Sequence, residues 1–318
     1  MDTPGGNATT TANGRPGLLR RGGGGTGGPR TGRGGIPDGR VRAVRLGPRA
    51  VASLILVSAV GVVAFGWPLL AAPDSGLAHS ADAPWLFAGL LPLLIAVVVA
   101  TISDSARASA LPGDDSGAPG LDAKSVAMLG VLAAAGAALR PLGGGTAGIE
   151  PMFFLMVLSG RVLGPGFGFV LGAVSMFASA LLTGGVGPWM PFQMLAMGWV
   201  SMGAGLLPGA RRLRGRGELL MLAGYGAVAS VLYGTAMNLQ GWPYLGGMAA
   251  SVSFVPGDPV TDNLARFLAY CLATSMGWDL PRALVTVVLT LTLGGTILRA
   301  LRRATRRAAF ATPVAFEE

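Results

Sequence analysis

At 318 residues, 51% hydrophobic and 12% charged, the chain is too apolar for an ordinary soluble protein, and its continuous apolar runs exclude a barrel of alternating strands. The formal net charge of +9 does not mark a nucleic-acid binder, because 18 of the 24 basic residues fall in three groups that each flank an apolar segment: Arg15 to Arg49, Arg211 to Arg216 and Arg299 to Arg307. A single cysteine, Cys271, and a single histidine, His79, exclude an internal disulfide, a multi-cysteine metal site and a HExxH zinc site, so neither metal nor cofactor is expected.

Residues 1–48 are rich in Gly, Arg, Thr and Pro and cannot bury enough apolar surface to offset chain entropy, which predicts a disordered cytoplasmic tail. Its arginines are read as a solvated tail that sets orientation, ahead of contact with anionic lipid head groups or RNA. Two apolar spans follow within 49–104, about Ala50 to Ala72 and Pro84 to Ser103, joined by a loop with Asp74, His79 and Asp82. Residues 105–123 read as a linker because Pro112, Gly113, Asp114, Asp115 and Pro119 interrupt the apolar pattern.

Residues 124–303 then hold six apolar segments, and 304–318 form a cytoplasmic tail. The segments are Ser125 to Leu139, Glu150 to Ser159, Pro165 to Leu182, Trp189 to Leu207, Glu218 to Asn238 and Leu264 to Leu298. The last is expected to divide at Gly277 to Pro281, with Leu264 to Met276 lying shallow and Asp279 to Leu298 crossing. Eight crossings with both termini in the cytoplasm place most basic groups inside and only Arg140, Arg266 and Arg282 outside. The expected fold is an all-α polytopic membrane protein of the plasma membrane.

Small residues recur every fourth position as Gly130, Ala134 and Ala138, as Ala133 and Ala137, and as Gly160, Gly164, Gly168 and Gly172. Such stripes let helices approach closely, within one bundle or against a second subunit. No GxxxxGK[ST] motif occurs, so ATP-driven work must come from another protein.

The topology brings Trp189, Gln193, Asn238, Trp242, Tyr244, Trp278, Asp279 and Arg282 to the outer membrane face. Interfacial aromatic residues serve as anchors or as the walls of a pocket. Asp279 and Arg282, one helical turn apart, either lock the helix end as an ion pair or fix the polar edge of a small molecule. No catalytic residue is expected: His79 is remote from any glycine-framed serine, and Glu150 with Asp279 is the only carboxylate pair considered.

The segments AAAGAALRPLGGG from Ala133 to Gly145, SGRVLGPGFGFVLGAVSMFASALLTGGVGPWMPFQMLAMGWV from Ser159 to Val200, and SMGWDLPRAL from Ser275 to Leu284 resemble the substrate-specific subunit, or S component, of energy-coupling factor (ECF) vitamin transporters. That resemblance implies a six-helix core, preceded here by two extra helices. It implies an outward pocket for a vitamin or related micronutrient, such as cobalamin or another planar vitamin, and import driven by two ABC ATPases through a coupling transmembrane subunit. Docking on that subunit would use Ala133 and Ala137, with Ala134 and Ala138 as the neighbouring stripe. The partners expected are therefore the coupling subunit, the ATPases, the small molecule and membrane lipid, without nucleic acid. The competing expectations are a membrane scaffold and an intramembrane enzyme.

Overall fold

The computed structural model describes Met1 and residues 48–70, 89–92, 94–96, 123–143, 148–209, 213, 215–245 and 247–309. The chain divides into two units, Met1–Pro37 and Asp38–Glu318, and all described residues except Met1 lie in the second. Outside the described residues fall nearly all of the expected tail, the loop with Asp74, His79 and Asp82, the linker up to residue 122, and residues 310–318. Most of the second expected span is also outside them, although Leu90 and Leu94 are described, helical and buried in the main core.

The described residues form helices and turns with no strand. The helices are α1 (Pro48–Leu70), α2 (Ala123–Leu139), α3 (Met152–Leu163), α4 (Pro165–Thr183), α5 (Met190–Leu206), α6 (Arg216–Gly241), α7 (Val260–Tyr270), α8 (Met276–Thr292) and α9 (Gly294–Ala309). Short tight turns occupy Pro141–Gly143 and Trp242–Tyr244. Helices α1, α2, α4 and α6 are long and apolar enough to cross a membrane, and the bent run from α7 to α9 offers a fifth crossing.

Glycine sets how closely these helices pack. A Cβ on Gly160 or Gly168 would collide with the Ser201 carbonyl, and one on Gly172 with the Met197 carbonyl, so α3 and α4 each press backbone against α5. Gly164, at φ 93°, both ends α3 and starts α4, a conformation that disfavours any side chain. Ser201 Oγ donates to the Met156 carbonyl at 2.9 Å across the same interface. Helix α3 sits at the centre, buried continuously from Met152 to Arg161. Its 12 residues rise only about 18 Å, too little to cross a bilayer alone.

The expected division at Gly277 to Pro281 does not occur. Helix α7 passes through a wide π turn, Cys271–Ser275, directly into α8, and Pro281 lies inside α8. The proline forgoes one helical hydrogen bond and its ring must clear the Gly277 carbonyl four residues before it, and the wide turn just upstream accommodates the local change in winding. The break comes later: the run Val260–Thr292 and the helix Gly294–Arg306 meet at a 68° bend. Gly294 and Gly295 supply the freedom for it, and Gly294 is buried beside Leu219.

Helix α1, outside the six expected core segments, is packed into the bundle. Gly61 admits Leu195 of α5, Phe65 meets Phe192 edge-on at 5.1 Å, and Trp199 Nε1 donates to Ser58 Oγ at 3.0 Å.

Candidate functional site

The pairing of α6 with α8 builds the site. On α6 a stripe of Gly226, Ser230, Gly234 and Asn238 repeats every four residues; on α8 and the turn before it, Ser275, Asp279, Arg282, Thr286 and Thr290 form a buried polar stripe. The two fit because the glycines leave room: a Cβ on Gly234 would overlap the Asp279 carboxylate, and one on Gly226 would approach Thr286 Cγ2 at 2.6 Å. Lower on the stripe the threonines bond their own helix, Thr286 Oγ1 to the Arg282 carbonyl at 2.8 Å and Thr290 Oγ1 to the Thr286 carbonyl at 2.7 Å.

Arg282 is the hub. Its Nη1 donates to Asp279 Oδ1 at 2.6 Å and its Nε to Glu150 Oε2 at 2.7 Å, so two carboxylates share one guanidinium. Nη1 also reaches the Ser230 carbonyl at 3.4 Å. The guanidinium carbon lies 5.3 Å from the Phe153 ring centroid and 5.4 Å from that of Tyr233, two rings that themselves meet edge-on at 5.0 Å. Such contacts attract a cation through the ring faces. Ser275 Oγ donates to Asp279 Oδ2 at 3.1 Å, and Asn238 Nδ2 donates in turn to Ser275 Oγ, extending the network to α6. Asp279 is 1% exposed and Arg282 8%, so this is a buried network whose charges depend on one another for compensation.

Several element ends converge around it. Gly148, at φ 73°, lies against the Trp278 carbonyl, holding the segment that carries Glu150 against the start of α8. Trp67, in the last turn of α1, stacks on Tyr244 just after α6, with centroids 5.7 Å apart. The starts of α3, α5 and α8 and the finishes of α1 and α6 thus share one end of the bundle, which we call the Glu150 end. At the opposite, Glu218 end, Arg161 Nε and Arg302 Nη2 both donate to Glu218 Oε1, at 2.9 and 2.7 Å.

The expected site residues separate into three groups. Asn238, Asp279 and Arg282 come together in the network. Trp242 is fully enclosed in a second core with Phe254, Phe267, Tyr270 and Cys271, and its Nε1 donates to the Val252 carbonyl at 2.7 Å, so it offers no open face to a ligand. Trp189 and Trp278 stay at the surface, 44% and 50% exposed; the Trp189 indole bonds back to the Gly185 carbonyl at 3.3 Å. Gln193 and Tyr244 are half-buried, and among the described residues Gln193 Oε1 and the Tyr244 hydroxyl are enclosed without a hydrogen-bond partner. An enclosed polar atom with no partner carries a desolvation cost.

The stripe on α2 divides differently from the expectation. Ala133 and Ala137 are buried, turned into the bundle with Gly136, whose added Cβ would stand 2.7 Å from Met156 Cε. Ala134 and Ala138 are exposed, and so is Gly130, around which there is open space. Close packing inside the bundle takes the first pair, and only the second stripe faces outward.

Reasoning from sequence set Glu150 beside Asp279 only as a carboxylate pair for an enzyme, and it missed Phe153, Tyr233, Ser230 and Ser275 as members of the network. The spacing of Ser275, Asp279, Arg282, Thr286 and Thr290, four, three, four and four, was the available signal for a polar face on α8.

Among known proteins, the family model described as ECF transporter, substrate-specific component matches residues 124–294, just over half of the chain. No curated protein and no solved structure matches it.

Proposed function

Because the chain belongs to the family of ECF transporter substrate-specific components, a family of transporter subunits rather than enzymes, we propose that it binds a vitamin or related micronutrient at the Glu150 end and delivers it to a coupling subunit driven by two ABC ATPases. The observation that carries this reading is the buried Asn238, Ser275, Asp279, Arg282 and Glu150 network, because charged groups within membrane-spanning helices are costly and mark binding sites or pathways. In this reading the network is the polar floor of the site. Gln193 Oε1 and the Tyr244 hydroxyl take bonds from the substrate, Trp189 and Trp278 form the rim, and Trp242 supports the floor from behind. A planar, ring-containing vitamin suits the aromatic rim; cobalamin is one candidate.

Orientation follows from charge. Arg161, Arg216, Arg299, Arg302, Arg303 and Arg306 lie at or near the Glu218 end, so that end belongs in the cytoplasm and the Glu150 end faces out. The coupling surface is the outward stripe Gly130, Ala134 and Ala138, in place of the buried Ala133 and Ala137. Helix α1 stiffens the wall formed by α5 and contributes Trp67 beside Tyr244. Purification of the tagged full chain from native membranes tests the proposal: a coupling subunit and two ATPases should accompany it. Isolation of the chain without either, in native lipid, would contradict the assignment.

A further inference from the structure

The Glu218 end carries a charged surface at the opposite end of the bundle from the proposed binding site. Helix α9 begins two residues after Thr292, at the end of a helical run long enough to span, and turns through 68°. The bend places α9 at the Glu218 end, where Arg302 reaches Glu218. Its two faces are distinct. Leu298, Leu301 and Thr305 are buried, while Arg299, Arg303 and Arg306 are exposed. The inward face is pinned by Arg302, whose Nη2 reaches Glu218 Oε1 at 2.7 Å, so the arginine face cannot simply roll inward.

Among the described residues, positive charge exceeds negative charge at this end. Glu218 is shared by two guanidiniums, Arg161 and Arg302, leaving that network positive. Arg161, with its side chain 2% exposed, also donates Nη1 to the Leu207 carbonyl at 3.0 Å, yet among the described residues its Nη2 has no acceptor. Arg299 is occupied only by its own helix, through the Gly295 carbonyl at 3.1 Å and Thr296 Oγ1 at 3.3 Å. Among the described residues, none of Arg299, Arg303 and Arg306 pairs with a carboxylate.

We propose that the exposed arginine face of α9 is a docking surface for anionic phospholipid head groups. A membrane surface supplies what the protein lacks at this end, a dense array of phosphate oxygens at the level where the chain leaves the bilayer. The head groups neutralise the excess positive charge, and α9 fixes the height of the bundle in the membrane.

The test uses the full chain in neutral detergent, with phosphatidylglycerol or phosphatidylcholine added and bound lipid counted by native mass spectrometry. The unmodified protein should retain phosphatidylglycerol in preference to phosphatidylcholine. The triple variant Arg299→Gln, Arg303→Gln, Arg306→Gln should bind phosphatidylglycerol on the order of a hundred-fold more weakly, three surface charges having been removed. Its melting temperature in phosphatidylcholine should match that of the parent, which shows that the fold survives. Lysine at the three positions should restore the preference. Equal retention of the two lipids by the parent, or an undiminished preference in the triple variant, would overturn the proposal. So would a triple variant that keeps its lipid preference but loses a co-purifying protein, since the surface would then belong to that protein.

Discussion

At the level of single residues, Arg282 holds the greatest share of the site's electrostatics. It pairs with Asp279 and Glu150 at once and lies between two rings, so its removal strands two carboxylates, whereas removal of either acid leaves it the other. Breaking a buried pair by deleting one partner costs about 3–5 kcal/mol. Arg282→Gln should lose stability in that range, and Asp279→Asn or Glu150→Gln distinctly less, as read from denaturant unfolding in detergent micelles. Equal losses for all three would show that the shared guanidinium is not the hub. The Asp279 and Arg282 pair was legible in the sequence because one helical turn fixes the distance between them. Glu150 was not: it stands 132 residues from Arg282, and it is brought there by the close approach of Gly148 to Trp278 and by the packing of Phe153 on Arg282.

At the level of helices, small residues decide which faces close. The repeat from Gly160 to Gly172 announced close packing, and the structure shows its cause in the carbonyls of Ser201 and Met197 pressed against it. The α2 stripes were harder, because Ala133 and Ala134 differ by one residue and periodicity alone cannot say which side faces inward. The structure distinguishes them by burial, and that predicts opposite consequences for the same substitution. Ala134→Trp or Ala138→Trp should leave melting temperature and substrate binding near those of the parent while abolishing uptake. Ala133→Trp or Ala137→Trp should overpack the bundle, costing about 1–3 kcal/mol or more, and lower the yield of folded protein. Uptake that survives Ala134→Trp and Ala138→Trp together would move the coupling surface elsewhere. Pro281 misled for a physical reason: a proline inside a helix is tolerated where the neighbouring winding adjusts, here through the wide turn at Cys271–Ser275.

At the level of the whole molecule, composition was enough to read a helical membrane protein, and the motifs from Ser159 to Val200 were enough to read its family, because both depend on local sequence. Convergence of the pocket residues was not legible. Trp242 became core through contacts made across the chain, while Trp189 stayed at the surface. The central claim is that the Glu150 end binds a small micronutrient. Its most direct test is mass spectrometry of small molecules extracted from the purified protein, beside Tyr244→Phe and Gln193→Met. Both variants remove an enclosed polar atom that has no hydrogen-bond partner among the described residues, so neither should lower the melting temperature. The account predicts a vitamin near equimolar with the parent and lost from both variants. A parent that carries no such molecule after purification from vitamin-fed cells, or variants that retain it undiminished, would contradict it.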